Sequence, residues 1–221
     1  MDIIEKLTEI FKEFPGIGER QAKRFVYFLM SKNPAYAKNL SLLVSDLKKE
    51  IAQCKECFRF FILPASPSQG ENSKKEKLCD ICANLNTDSS MLMIVEKDSD
   101  LESVRKSKVY YGKYFILGGL VPIVEKNTKN KIRIKELIER ISAKGGSASG
   151  GKNNGSLKEI ILGFSLSPQG DHTDFYIKNE IKDLAESLNI KISSLGRGLS
   201  TGTELEYSDN DTIKNALKNR Q

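Results

Sequence analysis

The chain has 221 residues, with 35 Lys and Arg against 29 Asp and Glu, a length that suits one domain or two or three small ones. A formal charge of +6 and a pI near 9.0 favour an anionic partner only weakly, since a surplus spread evenly serves solubility alone. No apolar run is long enough to span a bilayer, and Met1 to Lys6 is not a basic region followed by an apolar run, so a cytoplasmic protein without membrane association is expected.

Ile3, Leu7, Ile10, Phe11 and Phe14 recur at helical spacing, as do Ala22, Phe25, Val26 and Leu29, and then Leu40, Leu43, Val44, Leu47 and Ile51. Three helices are predicted. Between the first two lies Phe14-Pro15-Gly16-Ile17-Gly18, and Glu19-Arg20-Gln21-Ala22-Lys23-Arg24 opens the second, in the manner of a helix-hairpin-helix. Gly16 and Gly18 let the turn approach a ligand backbone, and the free N–H groups at the helix start favour a phosphate. Arg20, Lys23 and Arg24 would contact neighbouring phosphates without reading bases. The alternative is an ordinary tight turn with a solvated basic face, against which the cluster of three cations weighs.

All four cysteines come next, as Cys54-Lys55-Glu56-Cys57 and Cys79-Asp80-Ile81-Cys82, with 21 residues between the pairs. Two C-x2-C turns aim four thiolates at one ion, which predicts a closed, structural Zn2+ site, one per chain. Unrelated buried thiols or a redox pair are the alternatives. A redox C-x-x-C opens a helix after a strand, whereas here a helical pattern ends just before Cys54. Pro64 to Lys77, rich in Pro, Ser, Gly and Lys, reads as a solvated loop.

Beyond Cys82 the pattern changes to short apolar runs, at Met91 to Val95, Tyr114 to Leu117, Ile160 to Phe164 and, more weakly, Ile190 to Ser193. Helical faces lie between them, one of Ile134, Leu137, Ile138 and Ile141 and one of Ile177, Ile181, Leu184 and Leu188. The alternation predicts a mostly parallel sheet covered by helices, within an α+β multidomain chain. Lys144 to Ser156 reads as a Gly/Ser-rich insertion, and Ile213, Ala216 and Leu217 mark a last helix.

Glu96 ends the first of these strands and Asp98-Ser99-Asp100 follows, where catalytic groups of such sheets tend to lie. Glu96, Asp98 and Asp100 could hold Mg2+. Ser99 or Asp100 could instead be the N-cap of the next helix, the reading the residues favour. A two-metal site needs more acids at a neighbouring strand end. Ile160 to Ser165 offers none, and Asp209-Asn210-Asp211 resembles another cap. Gly146 to Asn153 approaches a P-loop, but Asn153 stands where a hydroxyl is needed and the segment follows a helix, so no nucleotide is expected there. His172, the one histidine, reads as a loop residue before a helix.

Taken in order, Phe14 to Gly18, the cysteine finger, Ile94-Val95-Glu96, Leu117-Gly118-Gly119-Leu120, Arg197-Gly198-Leu199 and Leu205-Glu206-Tyr207-Ser208-Asp209 resemble the bacterial RecR recombination-mediator family over nearly the full length. The resemblance implies a helix-hairpin-helix region at 1–53, a four-cysteine zinc finger at 54–88, a Toprim domain at 89–195 and a Walker B-like segment with a helix at 196–221. It implies a ring-shaped homotetramer that is not an enzyme. Such a protein binds single-stranded, gapped or double-stranded DNA and acts with RecO and RecF to load RecA onto gapped DNA coated by single-strand-binding protein.

Carried over by position, the zinc ligands are Cys54, Cys57, Cys79 and Cys82. The DNA-facing hairpin residues are Arg20 and Arg24 beside Gly16 and Gly18, with Lys23 added from the charge cluster. Glu96 and Asp100 take the place of acids that contact RecO. Toprim enzymes also use a D-x-D pair at a later strand end, where this chain has Phe164-Ser165-Leu166-Ser167-Pro168. A Toprim fold without Toprim chemistry is therefore expected, the alternative being a Mg2+-dependent nuclease or primase-like enzyme using Glu96, Asp98 and Asp100. The chain departs from the family pattern at Ser165 to Asp171 and at Gly202-Thr203.

Overall fold

The computed structural model describes residues 1–63, 78–124, 132–145, 157–196, 198, 208 and 210–218. The 64–77 loop, the P-loop-like stretch 146–153 within the Gly/Ser-rich insertion, Arg197 and most of the Walker B-like segment, Asp209 included, lie outside the described residues. The chain divides into two compact units, Met1–Ile51 and Ala52–Gln221.

The first unit holds α1 (Ile3–Lys12), α2 (Glu19–Met30) and α3 (Pro34–Glu50). Helix α1 opens on a capping box. The Asp2 carboxylate accepts the Glu5 N–H at 2.8 Å, and the Glu5 carboxylate accepts the Asp2 N–H at 3.0 Å. Helix α3 opens on Asn33, whose side chain accepts the Tyr36 N–H at 2.9 Å, with Pro34 in the first turn. In α1 and α2 only Thr8, Ala22 and Val26 are buried, while Phe11 packs against Phe14 and Phe25 with ring centroids 5.7 and 5.8 Å apart. Leu40, Leu43, Val44 and Leu47 form the predicted apolar face of α3, yet each is between 38% and 61% exposed. Ile51, predicted on that face, leaves the helix with extended backbone and begins a strand.

The second unit, from Ala52 on, takes in all but the first residue of β1 (Ile51–Gln53), which pairs with β2 (Phe60–Ile62), and then the short helix α4 (Asp80–Ala83). There follow β3 (Asp88–Val95), α5 (Asp98–Ser107), β4 (Gly112–Ile116), α6 (Ile134–Gly145), β5 (Glu159–Gly163), α7 (Pro168–Ser187), β6 (Lys191–Ser194) and α8 (Asn210–Lys218). Strands β4, β3, β5 and β6 lie side by side in that order and every pairing is parallel, with Ile94 opposite Phe115 on one side and Leu162 on the other. The fold is α+β and multidomain, with a parallel sheet as expected.

Alternate residues of β3 serve opposite faces. Leu92 and Ile94 join Phe115, Ile160 and Leu162 under α6 and α7, packed on Leu137, Ile141, Ile177 and Ile181. Met93 and Val95 join Tyr114, Ile116 and Leu101 of α5. Burial on both faces explains why the strand reads as an unbroken apolar run.

Three details differ from expectation. Strand β4 starts at Gly112 and takes in Lys113, a cation that is only 8% exposed. Helix α7 starts at Pro168, behind an N-cap Ser167 that accepts the Gly170 N–H at 3.1 Å, so His172 is helical and not in a loop. The Ser-Pro start signal outweighs Gly170. The N-cap of α5 is Lys97, not Ser99 or Asp100. Asp100 sits inside the first turn, where its carboxylate accepts the Lys97 N–H at 3.3 Å. No described helix is long and apolar enough to cross a membrane.

Candidate functional site

The two cysteine pairs are built by different local structures. After β1 the chain turns tightly, the Phe58 N–H donating to the Cys54 carbonyl at 2.9 Å and the Cys54 N–H to the Arg59 carbonyl at 2.8 Å. Phe58 closes this knuckle at φ 61°, a left-handed conformation. Cys79 caps α4, and its carbonyl accepts the Ala83 N–H at 2.9 Å. The four sulfur atoms thereby lie within 4.8 Å of one another, and Cys57 Sγ is 3.5 Å from Cys79 Sγ. Zn–S bonds of about 2.3 Å in a tetrahedron put sulfurs about 3.8 Å apart, so the residues fit a metal ion of that size.

Crowding sets the protonation of the cluster. Hydrogen bonds from Cys57 foremost, then Cys79 and Cys82, pull the Cys54 thiol far down. Cys57 and Cys82 are pushed up, Cys54 first among the causes. Four thiolates this close repel, and a divalent cation removes that penalty. Among the described residues this is the one group of three or more ligating side chains able to hold a metal ion.

Basic side chains fasten the cysteine module to the parallel sheet. Arg59 places Nη1 2.7 Å from Asp80 and Nη2 3.1 Å from Glu102 of α5, and Arg105 of α5 pairs with the same Asp80. Burial opposes ionisation of Asp80, but Arg59 and Arg105 outweigh it and hold the carboxyl below its usual range. Lys113 Nζ donates to the carbonyls of Ile81, Cys82 and Asn84 at 2.9, 3.2 and 3.1 Å, neutralising the C-terminal end of α4. Arg140 of α6 donates to the carbonyls of Glu56 and Tyr114. The Ile116 N–H donates to the Cys57 carbonyl at 2.9 Å, and Phe58 meets Phe115 edge to face at 5.4 Å. Sequence reasoning passed over Arg59, Lys113 and Arg140. A lysine at the head of a buried strand was the one local signal.

The three acids after β3 do not converge. Glu96 directly follows the strand, its carbonyl accepting the Gly118 N–H at 2.9 Å, and its carboxylate is 4.0 Å from Lys97 Nζ. Asp98 accepts the Phe60 N–H of the cysteine module at 2.9 Å, while Asp100 turns back to Lys97. Gly118 has φ +93°, and a Cβ there would lie 2.6 Å from Arg133 Nη1, so the loop beside Glu96 needs glycine. At the end of β5 the corresponding polar groups are Ser165 and Ser167, with their hydroxyls 3.0 Å apart.

In the hairpin, the Ile17 N–H donates to the Phe14 carbonyl at 3.0 Å. Gly16 turns the chain at φ +77°, with open space where a Cβ would project from either Gly16 or Gly18. Gly18 is the N-cap of α2 and supplies no side chain to cap it. Arg20, Lys23 and Arg24 are exposed and share a face through i, i+3 and i+4 spacing. Lys23 Nζ is 2.6 Å from Glu19 Oε1, a bond that lowers the Glu19 pKa and raises that of Lys23. No acid among the described residues pairs with Arg20 or Arg24.

Known proteins resemble this chain over nearly its whole length. Residues 90–195 match the family model of the Toprim domain, and residues 198–221 match that of the RecR C-terminal region. Recombination protein RecR of Bacteroides thetaiotaomicron is 31% identical over 218 residues, 99% of this chain and 93% of that protein. Its namesake in Brachyspira hyodysenteriae is 32% identical over 217 residues, 98% of this chain and 95% of that protein. The Lactobacillus acidophilus protein of the same name is 30% identical over 217 residues, with 98% and 96% covered.

Proposed function

Because the chain belongs to the RecR family of recombination proteins, we propose that it is a non-enzymatic, DNA-binding recombination mediator of DNA repair in the cytoplasm. The observation that carries the reading is the hairpin: a start of α2 without a side-chain cap beyond the Gly16 to Gly18 turn, flanked by Arg20 and Arg24, which pair with no acid among the described residues. Gly16 and Gly18 bring the backbone to single-stranded, gapped or double-stranded DNA, and Arg20 and Arg24 bind its phosphates. Lys23, already bonded to Glu19, contributes less. Binding of this kind is salt-dependent and indifferent to sequence.

In the second unit, Cys54, Cys57, Cys79 and Cys82 hold one structural Zn2+, while Glu96 and Asp100 contact RecO. With RecO and RecF the protein helps to load RecA onto gapped single-stranded DNA coated by single-strand-binding protein. The exposed apolar face of α3 supports a homo-oligomer, a ring-shaped tetramer in the family's manner, since a second copy would cover what this chain leaves open. The regions 1–53, 54–88, 89–195 and 196–221 serve as DNA-binding hairpin, metal module, Toprim scaffold and C-terminal segment.

The test is DNA affinity as a function of salt. Replacing Arg20 and Arg24 by Ala removes two phosphate contacts, which lowers the salt slope by about 2 with metal content unchanged. Unaltered affinity and slope would remove the hairpin from the reading. Mg2+-dependent cleavage or synthesis that is lost on Glu96→Gln would establish a Toprim enzyme instead.

A further inference from the structure

Of the three acids that follow β3, the reading above uses Glu96 and Asp100 and leaves Asp98 without a role. Asp98 is nevertheless the acid with the longest-range bond: its Oδ1 accepts the Phe60 N–H at 2.9 Å, across 38 residues of sequence. One helical turn on, Glu102 accepts Arg59 Nη2 at 3.1 Å, and Arg59 is the neighbour of Phe60. A further turn on, Arg105 pairs with Asp80 between the second pair of cysteines. Positions 98, 102 and 105 share one face of α5, and each bonds to the cysteine module. Asp100, two residues beyond Asp98, is turned about 200° round the helix from it. Helix α5 thus divides its acids, Asp98 and Glu102 facing the module and Asp100 facing away.

We propose that Asp98 is a positioning residue: by fastening β2 of the cysteine module to the first turn of α5, it fixes how Glu96 and Asp100 are presented to a basic protein partner. This rests on the reading that those two acids bind such a partner. The carboxylate of Asp98 acts by accepting a hydrogen bond within the chain, not by meeting the partner's charge. An Asn side chain keeps an oxygen that accepts the same N–H, whereas Ala does not.

The experiment compares Asp98→Ala, Asp98→Asn, Glu96→Ala and Asp100→Ala in the full chain. RecO of the same organism serves as the binding probe, and amide hydrogen exchange over Leu101 to Arg105 is the second readout. Asp98→Ala is expected to weaken the probe about tenfold and to speed exchange in α5, with zinc content and DNA affinity unchanged. Asp98→Asn is expected to restore most of both. Asp98→Ala with parental affinity would overturn the proposal, and so would Asp98→Asn as weak as Asp98→Ala, which would make Asp98 a charge that meets the partner. If Glu96→Ala and Asp100→Ala both leave the probe's affinity intact, the partner reading falls. Exchange in Asp98→Ala then decides alone whether Asp98 holds the module to α5.

Discussion

Lys113 shows how much a single side chain can organise here. An ammonium on a strand residue that is only 8% exposed is costly unless its donors are used, and it donates to three carbonyls around the second cysteine pair. Lys113→Met keeps the apolar stem but takes this donor from the Cys82 carbonyl, whereas Ile81 and Asn84 retain the Thr87 hydroxyl at 3.1 Å and N–H at 3.4 Å. The expected cost is about 1 to 3 kcal/mol, read as a lower melting temperature together with weaker metal retention. Glu159 makes a pH-dependent contribution at the β5 to β6 pairing. Its carboxylate accepts from Ser193 Oγ at 2.7 Å and lies 3.3 Å from Lys191 Nζ, and these partners, Ser193 first, lower its pKa. A folded pKa below the unfolded value gives stability that is fully present above the unfolded value, about 4.3, and lost as pH falls through the folded one. Glu159→Gln should therefore cost up to about 1 kcal/mol at neutral pH. In chemical denaturation at acid pH, parent and variant should converge.

At the scale of elements, the cysteine module is two strands of three residues and a helix of four, too little to hold a core of its own. A metal ion held by the four cysteines and the sheet the module rests on would supply its folding energy. Replacing any one cysteine by Ala is expected to reduce soluble yield and assembly before it harms a specific DNA contact. A soluble, correctly assembled, DNA-defective variant would contradict that order. Strand β3 is legible because Leu92 to Val95 are buried on both faces, so Met91 to Val95 stands out as a run. Strand β4 is legible from Tyr114 and not from Gly112, since a lysine in the run hides a strand whose cation is bonded to distant carbonyls. The helical place of His172 is hidden for a local reason, since Gly170 masks a helix that Ser167 and Pro168 have already begun.

For the whole molecule, the open question of packing lies with α3. Leu40, Leu43, Val44 and Leu47 leave a broad apolar stripe exposed, of the kind that marks an interaction surface. Leu43→Glu combined with Leu47→Glu should shift the mass in solution toward a smaller species, with and without gapped DNA. An unchanged mass would place the subunit contact elsewhere. The sequence by itself determined the two cysteine knuckles and the hairpin turn, because each rests on residues a few positions apart whose geometry a turn dictates. It also determined the parallel sheet, through the apolar runs and the helices between them. Only the tertiary structure decided which bonds Asp98 and Asp100 make within the chain, which local pattern left open between cap and metal ligand. Asp98 is committed by a bond to Phe60 and Asp100 by one to Lys97, and the first of these exists only once a segment 38 residues away has folded beside it.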